Sequence, residues 1–196
     1  MKVKFCGITN LEDAIKAETL GADMLGFIAQ PGQIRYVAPY IIAKAKSVVK
    51  VPVVAVKLEM NFMDVLDIAD YIQIHKVLEN NEIETLNSYS AKFILYVPSS
   101  KEGLNYIRLI DKVHNAVPLI DSAKKGTKVD LEIAKELLNF RPDSGLGGGI
   151  TPDNVQDYLK LNPAWIDVSS GIESTPGKKD EQKMKRIIEV VKNESN

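Results

Sequence analysis

Val3-Lys4-Phe5-Cys6-Gly7-Ile8-Thr9-Asn10-Leu11-Glu12-Asp13 is a short apolar run, a glycine break and a helix start in immediate succession. Val3 to Cys6 reads as a strand, and Gly7 ends it. Thr9 and Asn10 stand three residues before Glu12 and Asp13, the capping-box spacing that opens a helix. The unit repeats outward along the chain. Strand-like runs fall at 3–6, 24–29, 53–57, 71–75, 93–97, 118–121, 144–148 and 165–168. Helix-period stretches lie near 11–20, 38–49, 62–69, 80–88, 101–112, 130–139 and 153–160, with a last one at 179–193. In that last stretch Met184, Ile187, Ile188 and Val191 recur on one helical face. Strands alternating with helices about every 24 residues indicate parallel βα units. An open doubly wound sheet is the rival, but eight consecutive units favour closure into a (β/α)8, or TIM, barrel.

No Pro/Gly/Ser-rich linker or shift in composition divides the chain, so 1–196 is expected to be a single domain. At 196 residues a barrel of this kind must have short loops. Hydrophobic residues make up 45% and charged ones 26%, a globular mixture able to bury a sizeable core. The net charge of −1 gives no general attraction to nucleic acid or to an anionic membrane. One cysteine excludes an intrachain disulfide and suits a reducing cytoplasm. Met1 to Phe5 run directly into the first strand, so no signal peptide is expected. No apolar run approaches the ~18 residues of a membrane span.

Barrel enzymes place their chemistry at the C-terminal ends of the strands. Two ionisable groups stand out there because the strands before them are otherwise apolar: Cys6 and Asp121. A lone intracellular cysteine is ordinarily a buried core residue. Asp121 is poorly explained as a helix cap, since the next clear helix starts only near Asp130. Gly147-Gly148-Gly149-Ile150-Thr151-Pro152 exposes backbone N–H groups at a strand end, with Thr151 expected to cap a helix and Pro152 at its first position. One strand later, Ser169-Ser170-Gly171 is placed to open a short extra helix. Glycine-rich turns after the seventh and eighth strands form the common phosphate site of this architecture. Arg35, after the second strand, could fork onto a carboxylate. His75 ends a strand as a hydrogen-bonded barrel residue, and His114 reads as structural. Neither histidine lies near a second cysteine, so no metal site is expected. Lys124-Lys125 with Lys128 reads as a solvated or mobile loop bordering Asp121.

Taken in order, these blocks closely resemble phosphoribosylanthranilate isomerase, a family of tryptophan biosynthesis. The resemblance rests on Lys4-Phe5-Cys6-Gly7-Ile8-Thr9, Gly26-Phe27 with Arg35-Tyr36-Val37, Gln73-Ile74-His75 and Leu119-Ile120-Asp121-Ser122. It continues through Gly148-Gly149-Ile150-Thr151-Pro152 with Asn154-Val155, and Asp167-Val168-Ser169-Ser170-Gly171-Ile172-Glu173, to Pro176-Gly177-Lys178-Lys179-Asp180. It implies a cofactor-free Amadori rearrangement of N-(5-phosphoribosyl)anthranilate to 1-(2-carboxyphenylamino)-1-deoxyribulose 5-phosphate. By the same resemblance Asp121 is the general acid, Cys6 the base that takes the C2 proton, Arg35 the holder of the anthranilate end and Asp167 a second substrate contact. The resemblance also implies that Gly148, Gly149, Ser169, Ser170 and Gly171 would bind the phosphate, on the side of the mouth opposite Cys6. The only partner implied is this small-molecule substrate, and the enzyme is expected to be cytoplasmic, as a monomer or homodimer.

The chemistry demands a protonated Asp121, hence a raised pKa, and a Cys6 thiolate that something must favour. Three places depart from the family pattern: Lys76 after His75, Pro31-Gly32-Gln33-Ile34 before Arg35, and Ala123-Lys124-Lys125-Gly126-Thr127 after Asp121. Among rival phosphosugar barrels, the histidine-pathway isomerase has an aspartate where Cys6 stands. Indole-glycerol-phosphate synthase relies on lysines, and only Lys57 ends a strand here. A non-catalytic phosphate-binding barrel would need neither Cys6 nor Asp121.

Overall fold

The computed structural model describes residues 1–124 and 126–193. Eight parallel strands close in chain order: β1 (Lys2–Phe5), β2 (Met24–Ile28), β3 (Val53–Lys57), β4 (Tyr71–Ile74), β5 (Phe93–Pro98), β6 (Ala116–Asp121), β7 (Gly145–Leu146) and β8 (Trp165–Val168). β8 returns to β1 with Lys2 opposite Trp165 and Phe5 opposite Val168, so the sheet is a closed barrel and not an open one. Around it the described residues form α1 (Leu11–Leu20), α2 (Pro39–Val48), α3 (Asn80–Leu86), α4 (Lys101–Ile110), α5 (Leu131–Phe140), α6 (Val155–Leu159) and α7 (Glu181–Asn193). No helix among them is long and apolar enough to cross a membrane.

The strands are apolar runs because both faces are covered. Val3, Phe5, Leu25, Phe27, Val53 and Ala55 face the helices and belong to the large outer core. The alternate positions Cys6, Val54, Val56, Ile94, Leu119 and Trp165 meet inside the barrel. Two glycines make room there. A Cβ on Gly145 would lie 2.2 Å from the Trp165 indole, and one on Gly26 would lie 2.7 Å from the Cys6 Sγ and 3.0 Å from the Lys4 Cε.

Helix starts follow local chemistry. Asn10 caps α1, its side chain accepting the Asp13 N–H at 2.8 Å. Asp130 caps α5, which leaves Asp121 free of any capping role. Met184, Ile187, Ile188 and Val191 are the buried face of α7, as their spacing predicts.

Four local expectations need correction. The stretch 62–69 forms turns instead of an α-helix. Val65 N–H reaches the Phe62 carbonyl at 3.1 Å and Ile68 N–H the Val65 carbonyl at 3.2 Å, a three-residue spacing. Its side chains are tied down separately: Phe62 packs edge-on to Tyr89 and Phe93, and Asp64 pairs with the buried Lys57 Nζ at 2.7 Å. Thr151 does not cap α6, which starts after Asn154. The Asn154 side chain is spent instead on the turn, accepting from Thr151 N at 2.7 Å and donating to the Gly149 carbonyl at 2.9 Å. β7 is shorter than expected because Gly148 and Gly149 adopt φ of 88° and 80°, which turn the chain out of the sheet. Finally, a 3-10 turn at Ser170–Ile172 runs into an unforeseen hairpin, β9 (Glu173–Thr175) with β10 (Lys178–Lys179).

Candidate active site

The C-terminal strand ends surround a cavity of about 690 Å³. Cys6, Arg35, Asp121, Asp167, Gly148, Gly149, Ser169 and Ser170 all line it, so the barrel gathers nearly the whole expected site around one space. Gly171 is the exception. A Cβ there would stand 1.9 Å from the Ile150 carbonyl oxygen, so this glycine serves close backbone packing and does not face the cavity.

Cys6 follows β1, held by its N–H on the Val168 carbonyl at 2.9 Å. Burial pushes its thiol up, and the positive charge of Lys4 opposes that push. Lys4 is fully buried inside the barrel. Its Nζ donates to both carboxylate oxygens of Asp167 at 3.0 Å and to the Gln73 Oε1 at 2.8 Å. Burial disfavours its charge, but Asp167 and Cys6 together outweigh that and hold it above the usual lysine value.

Asp121 ends β6. Its Oδ1 accepts the Ser122 N–H at 2.6 Å and the Ser122 hydroxyl at 3.2 Å. Burial pushes the carboxyl up despite these bonds, in the direction an acid at neutral pH needs. The glycines after β7 exist partly for this group, since a Cβ on Gly148 would come within 2.7 Å of its Oδ1. The Tyr158 hydroxyl props the same turn, donating to the Gly148 carbonyl at 2.7 Å. The Tyr96 hydroxyl donates to the Ser122 carbonyl at 3.0 Å. Burial and the Asp121 charge push Tyr96 up to about 12.

Arg35 is already engaged. Its Nε and Nη2 form a fork onto Glu173, at 2.7 and 2.6 Å. Glu173 also accepts from the buried Lys179 Nζ at 3.0 Å, which in turn donates to the Ser169 carbonyl at 3.1 Å. Gly7 lets the arginine lie across the turn after β1: a Cβ there would be 2.7 Å from the Arg35 Cδ and 2.9 Å from the Ser169 Oγ. Ser169 therefore sits beside the residue that follows Cys6. The expected separation of the anion end from Cys6 describes the glycine turn, which lies against Asp121, but not this serine.

His75 lines the cavity and lies 4.5 Å from the Tyr96 ring, centre to centre. Burial lowers it to about 4, so it is neutral at physiological pH. His114 takes no part; its N–H bonds the Asn87 side chain on the exterior. Lys128 is exposed, as the sequence suggests, and also lines the cavity rim against Gly149. Lys125 lies outside the described residues. No cluster of metal-ligating side chains occurs among the described residues.

A closed (β/α)8 barrel with a thiol, a carboxylic acid and glycine- and serine-rich turns around one cavity defines a barrel enzyme of the acid–base kind. Residues 3–190 match the family model of N-(5'phosphoribosyl)anthranilate (PRA) isomerase, and the chain belongs to that family. It is 46% identical over 194 residues to the N-(5'-phosphoribosyl)anthranilate isomerase of Sulfolobus acidocaldarius, covering 98% of this chain and 96% of the relative. Among solved structures it resembles monomers of the dimeric isomerase from Thermotoga maritima, with a TM-score of 0.85 and 27% identity over 98% of this chain and 99% of that one. It also resembles a phosphoribosylanthranilate isomerase in complex with reduced 1-(o-carboxyphenylamino)-1-deoxyribulose 5-phosphate, with a TM-score of 0.80 and 29% identity over 98% and 99%.

Proposed function

We propose that the chain, acting as one catalytic domain over 1–196, isomerises N-(5-phosphoribosyl)anthranilate to 1-(2-carboxyphenylamino)-1-deoxyribulose 5-phosphate, with Asp121 as general acid and Cys6 as general base. The observation that carries this reading is that both groups line one cavity, with burial raising the pKa of the acid. Asp121 protonates the furanose oxygen as the C1–O bond breaks, and the anthranilate nitrogen lone pair forms the C=N bond. Cys6, as thiolate, takes the C2 proton; the electron pair forms C1=C2 and neutralises the iminium. The enolamine then tautomerises, its C2 hydroxyl becoming the ketone and C1 gaining a proton. No electrons leave the substrate, so no cofactor is called for.

The ligand held by the related solved structure has a carboxylate at one end and a phosphate at the other. We assign the first to Arg35, whose Nε–Nη2 edge is occupied by Glu173 and whose Nη1 is left for the substrate. The second goes to the Gly148-Gly149 turn with Ser169 and Ser170, and Gly171 supports that turn from behind. Lys128 adds a positive charge on the same side. Asp167 contacts substrate only from its pairing with Lys4. The site of this chemistry is the reducing cytoplasm, where a single free thiol persists.

The fluorescent anthranilate conjugate, generated in situ, gives the test. The wild type should consume it, and Cys6→Ala and Asp121→Asn should each be slower by about 10²- to 10⁴-fold. A wild type that leaves the conjugate untouched sinks the assignment. A Cys6→Ala variant with nearly full rate removes Cys6 from the mechanism.

A further inference from the structure

Lys4 is the least explained expenditure in the molecule. A lysine with no solvent exposure sits inside the barrel, where a methionine of similar length would fill the space without a charge to desolvate. Its surroundings are built for the charge. Asp167 supplies two acceptor oxygens from β8 and Gln73 supplies a third from β4. The Gln73 amide is itself oriented, because its Nε2 faces the His75 Nδ1 at 3.3 Å. A neutral His75 can accept there, which turns the Gln73 oxygen toward Lys4. The Lys4 ammonium lies 6.0 Å from the centre of the Trp165 ring, and its Cε lies beside the Cys6 Sγ over Gly26.

We propose that Lys4 is a positioning residue for the base: held by Asp167 and Gln73, its ammonium is the fixed positive charge that lets Cys6 exist as a thiolate inside the barrel. The inference deepens the reading of Cys6 as the base and rests on it for its catalytic meaning. Among the charges that act on the sulfur, Lys4 stands out because its side chain lies beside it over Gly26. Lys179 on β10 acts in the same sense but is bound to Glu173 and the Ser169 carbonyl, and Arg35 is forked onto Glu173. Asp167 acts in the opposite sense. Asp121 and His75 act on the Lys4–Asp167 pair from β6 and the end of β4. Lys4 alone bonds the opposing carboxylate and lies beside the sulfur over Gly26.

Cys6 is the only cysteine, so its alkylation by iodoacetamide, followed by mass against pH, is a single-site titration. In Lys4→Met the midpoint should move up by at least about one pH unit, the lower bound for losing a neighbouring opposite charge. Lys4→Arg should restore it toward the wild type. The kcat/KM of Lys4→Met should fall about tenfold per unit of that movement on the acid side of the profile. Adding Asp167→Asn to Lys4→Arg should move the midpoint down, because an anion leaves while the guanidinium keeps its charge. A purely structural lysine predicts neither the opposite signs nor the arginine rescue. An unchanged midpoint in Lys4→Met overturns the proposal. Should that variant fail to fold, an unchanged or higher midpoint on adding Asp167→Asn to Lys4→Arg overturns it instead. Full activity in Cys6→Ala, by contrast, would sink the reading of the base while leaving these midpoints untouched.

Discussion

Cys6, just past β1 and buried, and Asp121, the last residue of β6 and half-buried, stand at the mouth of the same cavity, and desolvation pushes both upward. Their neighbourhoods differ in kind. Asp121 has the Ser122 N–H and hydroxyl, two tyrosine hydroxyls bonded to nearby carbonyls, and glycines, and Lys4 acts on it less than burial and Ser122 do. Cys6 has an ammonium, a carboxylate and a second buried lysine within electrostatic reach. The difference fits the roles proposed for them. An acid that must keep its proton needs only to be desolvated. A base must lose its proton in the same dry space, and there only a nearby positive charge offsets the desolvation of the anion.

The largest effect that would sharpen this contrast is in Asp121→Asn. Catalysis should fall by about 10²- to 10⁴-fold, yet thermal stability at neutral pH should rise, because the variant no longer buries an ionisable carboxyl while the amide oxygen still accepts from Ser122. Differential scanning measurements alongside the rate assay check both halves, and a lower melting temperature would mean that the carboxylate is stabilised by something other than Ser122. Next in size is the pH profile. An acid that must be protonated and a thiol that must not be predict a kcat/KM that varies between about pH 6 and 9. A flat profile there would break the comparison outright.

How far the contrast could be read from the sequence depends on range. Strand ends, the closing of eight units and the cavity residues follow from period and glycine placement, which are local. The charges around Cys6 are not. Lys2 and Lys4 read alike as basic residues in a short strand, yet Lys2 is exposed and Lys4 fully buried, because they stand at different depths of the barrel. The period-2 alternation that puts Lys4 on the face of Cys6 was available, but its partner Asp167 is 163 positions away. Glu173 stands in a recognisable motif, and its contact with Arg35 spans 138 positions. At 62–69 the apolar spacing suits a helix, and the turns win because Phe62 and Asp64 are anchored on tertiary partners, Tyr89 with Phe93 and Lys57.

A smaller effect tests the rim of the base side. Glu173→Gln should loosen Arg35 without touching the reacting atoms, raising KM about tenfold, as for one charged hydrogen bond, with kcat little changed. Steady-state kinetics separate the two, and a loss confined to kcat would place Glu173 nearer the chemistry than its fork onto Arg35 implies.

The smallest effect is in stability against pH, where His75 and Asp121 should have opposite signs. His75 falls from an ordinary 6.5 to about 4 in the folded chain, because burial disfavours the imidazolium. Between those values the unfolded chain binds the extra proton, so this residue's contribution to stability is lost as the pH falls through that window. Asp121 is raised above its ordinary 3.8. From there up to its folded value the native state holds the extra proton, so its contribution is lost as the pH rises. Urea denaturation from about pH 4 to 7 should therefore show a flatter acid side in His75→Gln than in the wild type, and a weaker loss toward neutrality in Asp121→Asn. If both variants changed the slope in the same sense, one of the two groups would not be desolvated as its burial requires. Protonating His75 would also make its Nδ1 a donor facing the Gln73 amide, turning the Gln73 oxygen away from Lys4. The same titration thus links the acid limit of the fold to the charge proposed to serve Cys6.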